Sequence, residues 1–151
     1  MEYAEIRLAL VEAIRRAETM LPRDVIAALA RAKEAEQGLA RVQLETILKN
    51  TDIARDGAIP MCQDTGIQTF IVRIGVDFPG ISSLRAVIVD AVAQATQEIP
   101  LRPNTVHPFT GENSGDNVGE HVPHITWIWS MVIDAQSTFF PRVMQVRTVL
   151  P

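Results

Sequence analysis

The apolar residues of this chain first change their spacing between residues 55 and 67, and that change constrains the fold more than any other feature. Over residues 5–20, Ile6, Leu10, Ile14 and Ala17 recur three and four positions apart with charges between them, which predicts an amphipathic helix. A second helix follows, with Pro22 in its first turn, Val25, Leu29 and Ala32 on its stripe, and Gly38 placed to end it. Leu44, Ile47 and Leu48 carry a third, from Leu39 toward Arg55, which stops before Gly57 and Pro60. Residues 67–75 (IQTFIVRIG) are instead rich in β-branched and aromatic side chains and end at a Phe78-Pro79-Gly80 turn signal, which predicts a strand.

A fourth helix is expected next, capped by Ser82 or Ser83, running through Ala86, Val87, Val89, Val92 and Ala93 and barred from continuing by Pro100 and Pro103. Residues 103–123 (PNTVHPFTGENSGDNVGEHVP) are crowded with turn formers, and a loop of that length is usually functional or disordered. A last strand is expected over 124–133, while the stretch from Asp134 shows no clear period. The order predicts an α/β or α+β chain: a helical N-terminal layer followed by a small mixed sheet with a helix and a long Gly/Asn-rich loop.

With 47% hydrophobic residues in 151 the chain can form one packed core, and a formal charge of -4 argues against a nucleic-acid partner. The first twenty residues interleave charges in a way no secretory signal does, and the longest apolar stretch falls short of the roughly 20 residues a bilayer crossing needs. A cytoplasmic location without membrane association is expected.

The single cysteine, Cys62, excludes an internal disulfide and leaves a buried thiol, a reactive thiol or a metal ligand. On composition alone a small buried hydrophobe is the common outcome for a lone Cys. Its neighbours argue otherwise: in Pro60-Met61-Cys62-Gln63-Asp64-Thr65-Gly66 it sits between helix and strand with an amide, a carboxylate and a hydroxyl directly after it. Such a turn can present a thiolate and polar side chains to one ligand.

This heptapeptide resembles the signature of the class I, iron–sulfur hydro-lyases, the fumarate hydratases and L-tartrate dehydratases. The resemblance extends in order through LKNTDIARDGAIP, the strand after Gly66, Leu101-Arg102-Pro103-Asn104 and the loop ending GEHVPHI, and so covers residues 21–127. It implies a [4Fe-4S] cluster held by three cysteines, with the open iron acting as a Lewis acid in reversible dehydration of (S)-malate to fumarate; tartrate is the alternative substrate. By the same resemblance Cys62 is one cluster ligand, Gln63 and Asp64 lie against the substrate, and a beta subunit completes a hetero-oligomer. Arg102, its backbone stiffened by the flanking prolines Pro100 and Pro103, is the candidate clamp for a substrate carboxylate, because a guanidinium pairs with it through two parallel hydrogen bonds. A solvated arginine and plain turn chemistry at Asp64 and Thr65 are the bland alternatives. His107, His121 and His124 have no zinc-like spacing, and Asn113, Gly115, Asp116 and Asn117 are read with His124 as loop structure near the site.

The sequence departs from the family in two respects. One cysteine cannot hold a four-iron cluster, and in the family the other ligands and the proposed base lie further along the chain. From Met131 the residues MVIDAQSTFFPRVMQVRTVLP lose the likeness, yet regrouping their codons one base earlier permits a family-like Pro-Lys-Gly followed by a small residue, Glu and Asn. The expected division is therefore a family part, 1–130, and a tail, 131–151, shifted in frame near Ser130 and poorly ordered. A remnant that only binds a beta partner is the remaining alternative.

Overall fold

The computed structural model describes residues 3–63 and 66–130, and residues 144–149 as backbone. Four helices and three strands follow one another as α1 (Tyr3–Thr19), α2 (Arg23–Ala35), α3 (Gly38–Gly57), β1 (Ile67–Gly75), α4 (Ile81–Glu98), β2 (His124–Ser130) and β3 (Met144–Val149). The sheet order is β2-β1-β3, with β1 central. β1 and β2 run parallel in the register Thr69↔His124 to Gly75↔Ser130, and β3 pairs antiparallel, Ile67↔Val149 to Val72↔Met144. A parallel pair needs a long crossover, which α4 and the loop 99–123 supply. The fold is thus the expected helical layer with a small mixed sheet.

The core lies between one face of the sheet and two helices. Alternation along β1 buries Gln68, Phe70, Val72 and Ile74 on that face. Leu10, Val11 and Ile14 of α1 and Leu84, Val87, Ile88, Ala91, Val92 and Ala95 of α4 close over the apolar three. Ile125 and Trp127 of β2 pack half-buried against the same cluster, with Trp127 stacked on Trp129 at 6.2 Å between ring centroids. Polar contacts add to the α1–α4 seam: the Tyr3 hydroxyl donates to the Asp90 carboxylate, and Arg15 pairs with Glu98 at 3.6 Å.

α2 and α3 form a hairpin that stands largely outside this core. α2 buries no residue, and α3 buries only Thr51 and Ala54, near its C-terminal end. Of their apolar residues, Leu29, Leu44 and Leu48 are half-buried, while Val25, Leu39, Val42, Ile47 and Ile53 are exposed.

Helix ends differ from the sequence reading in three places. Gly38 does not end α2, which stops at Ala35; it opens α3 in a left-handed conformation, φ +57°. α4 starts at Ile81 behind Gly80, φ +86°, and neither Ser82 nor Ser83 caps it, because the turn after Pro79 already places the chain on the helical path. α3 closes on Ala58 at φ +50°, where Ile59 N–H reaches the Ala54 carbonyl and Ala58 N–H that of Arg55, a Schellman ending without its usual glycine.

The tail also departs from expectation. Residues 144–149 (MQVRTV), read as part of a poorly ordered tail, form β3; alternating β-branched residues there suit pairing with the edge that β1 would otherwise leave open. The strand expected over 124–133 is present over His124–Ser130, and the rest of that span lies outside the described residues.

Candidate functional site

The turn that carries Cys62 is held at three points before and after the thiol. Met61 N–H donates to the Glu18 carbonyl at the end of α1, 2.9 Å, and the Met61 carbonyl accepts from the Asn50 side chain of α3, also 2.9 Å. Beyond the thiol, the Gly66 carbonyl accepts from the Asn104 side chain at 2.9 Å. The last bond joins residues 38 apart in sequence, and brings the cysteine turn against the loop after α4. Cys62 itself is a free, exposed thiol.

The loop 99–123 is ordered from within. Asn117, 1% exposed, sits at φ +60° and points its carboxamide inward. Its Oδ1 accepts from Asn104 N–H at 2.6 Å, and its Nδ2 donates to the Arg102 carbonyl at 3.0 Å and to the Thr96 hydroxyl of α4 at 3.2 Å. That hydroxyl also lies 3.0 Å from the Asp116 carbonyl. Asn113 spans the loop by donating to the Pro103 carbonyl and accepting from Gly115 N–H, while Asp116 accepts from Val118 N–H. Gly119 passes so close that a Cβ there would lie 2.8 Å from Thr105 Cγ2. A buried polar group is tolerated when its bonds are made, and Asn117 uses both of its amide donors and its carbonyl oxygen.

These two segments enclose a shallow depression lined by Glu18, Pro60, Cys62, Gly66, Gln68, Leu101, Arg102 and Asn104. Cys62 and Arg102 therefore share one wall system, although 40 positions part them in sequence. On its other side Cys62 borders an open groove with Leu21, Thr46, Ile47, Asn50, Thr51 and Met61. Gln63 is exposed, and Asp64 lies outside the described residues. Each histidine is engaged locally: His107 Nδ1 accepts from Phe109 and Thr110 N–H, His121 lies beside Glu120, and His124 is 3.4 Å from the Thr126 hydroxyl.

Gln68 was not singled out by the sequence. It is 4% exposed, and its Oε1 is buried without a hydrogen-bond partner. The available signal was its polar side chain at a core-facing position of an alternating strand. Asn104 and Asn117 were legible as loop residues but not as its two fasteners.

A cluster can be tested against this donor set. Among the described residues no group of three or more His, Cys, Asp or Glu could hold a metal ion. One accessible thiol at the rim of a polar depression fits a single ligand of a larger set, and no more than one.

In structural terms the class is a mixed α/β protein whose thiol-bearing turn is docked on an asparagine-rich loop. Comparison with known proteins takes this further: the fumarate hydratase (Fumerase) family model matches residues 7–138, and the chain belongs to that family. It is 44% identical over 107 residues to a putative class I fumarate hydratase of Geobacillus stearothermophilus, covering 70% of this chain and 21% of that protein. It is 39% identical over 118 residues to a putative L(+)-tartrate dehydratase subunit alpha of Methanocaldococcus jannaschii, covering 76% of this chain and 41% of the relative. With the L(+)-tartrate dehydratase subunit alpha of Escherichia coli K12 the identity is 38% over 110 residues, 72% and 36% of the two chains. The chain thus spans less than half the length of these relatives. No helix among the described residues is long and apolar enough to cross a membrane.

Proposed function

We propose that this chain carries part of the active site of a hydro-lyase that interconverts (S)-malate and fumarate. The observation that supports it is the Asn104–Gly66 hydrogen bond, beside which Cys62 and Arg102 both line one depression. Arg102 binds a substrate carboxylate as a bidentate pair, and Gln63 and Asp64 contact the substrate beside Cys62. Cys62 would supply one thiolate to a [4Fe-4S] cluster, which when bound would act as a Lewis acid toward the departing hydroxide. The chain has one cysteine, so the other ligands come from outside these 151 residues. L-tartrate is the second reading, favoured by the names of the M. jannaschii and E. coli relatives, and those names also motivate a beta subunit as partner.

The division at Ser130 belongs to the same proposal: residues 1–130 form the family part and 131–151 a frame-shifted tail. Resequencing the gene tests it, and an intact frame through residue 151 would overturn it.

The functional test is anaerobic reconstitution, with iron and sulfide and a family beta subunit, of the chain extended in the restored frame so that the remaining ligands are present, following charge-transfer absorption and malate dehydration together. Cluster absorption that is lost in Cys62→Ser, with malate turnover lost in Arg102→Ala, is the expected result. A chain that binds the beta subunit but neither cluster nor dicarboxylate would replace this reading with that of a binding remnant.

A further inference from the structure

We propose that Asn117, acting through Asn104, is a positioning residue that holds the Arg102 segment against the cysteine turn. The relay can be followed bond by bond from the core to the site. Thr96, 4% exposed on α4, accepts from Asn117 Nδ2 and so fixes the carboxamide to a helix that cannot move without opening the core. The same carboxamide grips the main chain on both sides of Pro103, through the Arg102 carbonyl at 3.0 Å and Asn104 N–H at 2.6 Å. Asn104 then passes the constraint on, because its side chain donates to the Gly66 carbonyl.

Geometry favours positioning over simple loop filling. Asn113 and Asp116 make bonds to the nearby loop backbone, which order that loop but reach neither Cys62 nor Gly66. Among the hydrogen bonds between described residues, the relay is the one from this loop that ends on Gly66, in the turn that bears the thiol. Asn117 also holds φ +60°, a conformation asparagine adopts more readily than most residues, so amide and backbone are both suited to the place. Arg102 gains no side-chain partner from the relay; it gains a fixed main chain from which its exposed guanidinium extends. A displacement of about 1 Å at such a group can cost on the order of a hundredfold in a reaction that depends on its placement.

The inference rests on the dicarboxylate reading for its binding arm only. A nitroxide on Cys62, the sole cysteine, quenches the amide signals of Arg102 and Asn104 in the labelled 151-residue chain if the two segments are held together. Asn117→Ala and Asn104→Asp are expected to relieve that quenching, whereas Val87→Ala, a core control at a position 1% exposed, leaves it unchanged. In unlabelled chain, L-malate titration is expected to show Kd raised about tenfold or more by both asparagine variants and unaffected by the control. Quenching in the asparagine variants equal to that in Val87→Ala overturns the proposal. Should Asn117→Ala fail to fold, Asn104→Asp decides by the same criterion. If the wild-type chain does not bind malate, Arg102 is no carboxylate clamp in the 151-residue chain by itself, and the quenching still judges the relay.

Discussion

α1 and α3 are both amphipathic helices with comparable apolar stripes, yet one is sealed and the other open. Ile14 of α1 is 0% exposed, whereas Ile47 of α3 is 45% and Leu39 is 74%. The difference lies in what stands opposite: α1 meets α4 over the sheet face, while the hairpin's stripes meet each other only in part. A helical period thus specifies a stripe and its width; what covers the stripe is a property of the tertiary partner.

The largest expected effect breaks the comparison at its centre. Ile14→Ala should cost about 2 to 5 kcal/mol, as truncation in a packed core does. Ile47→Ala should stay within about 0.5 kcal/mol, since an exposed site loses little. Denaturant unfolding of both variants checks this, and equal losses would mean that the hairpin stripe is buried in solution. Next, Thr96→Val should cost about 1 kcal/mol, because it removes the hydroxyl that ties the loop to α4. A loss confined to local exchange of the loop amides, with an unmoved midpoint, would separate loop from core.

Ala58→Gly is expected to stabilise by up to about 1 kcal/mol, relieving a left-handed residue that carries a Cβ. If hairpin and core unfold separately, the gain appears as slower hydrogen exchange in α3 and not in the global midpoint. The smallest effect concerns the α1–α4 seam. The hydrogen bond to Asp90 raises the Tyr3 phenol above its usual 10.0, followed by desolvation and the nearby negative charge. The sign follows from linkage: a raised folded value means the contribution is complete below about pH 10 and is lost as the pH climbs through the folded value. Tyr3→Phe should therefore narrow the stability difference between pH 9 and pH 11, and an unchanged pH profile would mean the bond is absent in solution.

Much of the fold was legible. β1 matches its expected bounds, since nine residues of β-branched and aromatic character between turn formers leave little room for another reading. Helix ends were less so, because Gly38 and Gly80 serve as entries and Ala58 as an exit, roles that depend on where the chain goes next. β3 escaped notice because its partner is the far edge of β1, and pairing across such a distance leaves no local mark. At the site, Cys62 was marked by its neighbours and Arg102 by its prolines, whereas Asn117 resembled any other turn residue. Its distinction is burial, which composition cannot express.

The direction of the strands carries a practical consequence. The cysteine turn ends where β1 begins, and the loop that holds Arg102 leads into β2, so the depression lies at the amino ends of two parallel strands. Open α/β sheets usually gather ligands at the opposite, carboxyl ends. The rim around Val76 and Asp77 is accordingly the place to graft a tag, reporter or affinity handle: cargo attached there projects from the far pole of the sheet and leaves the approach to Cys62 clear.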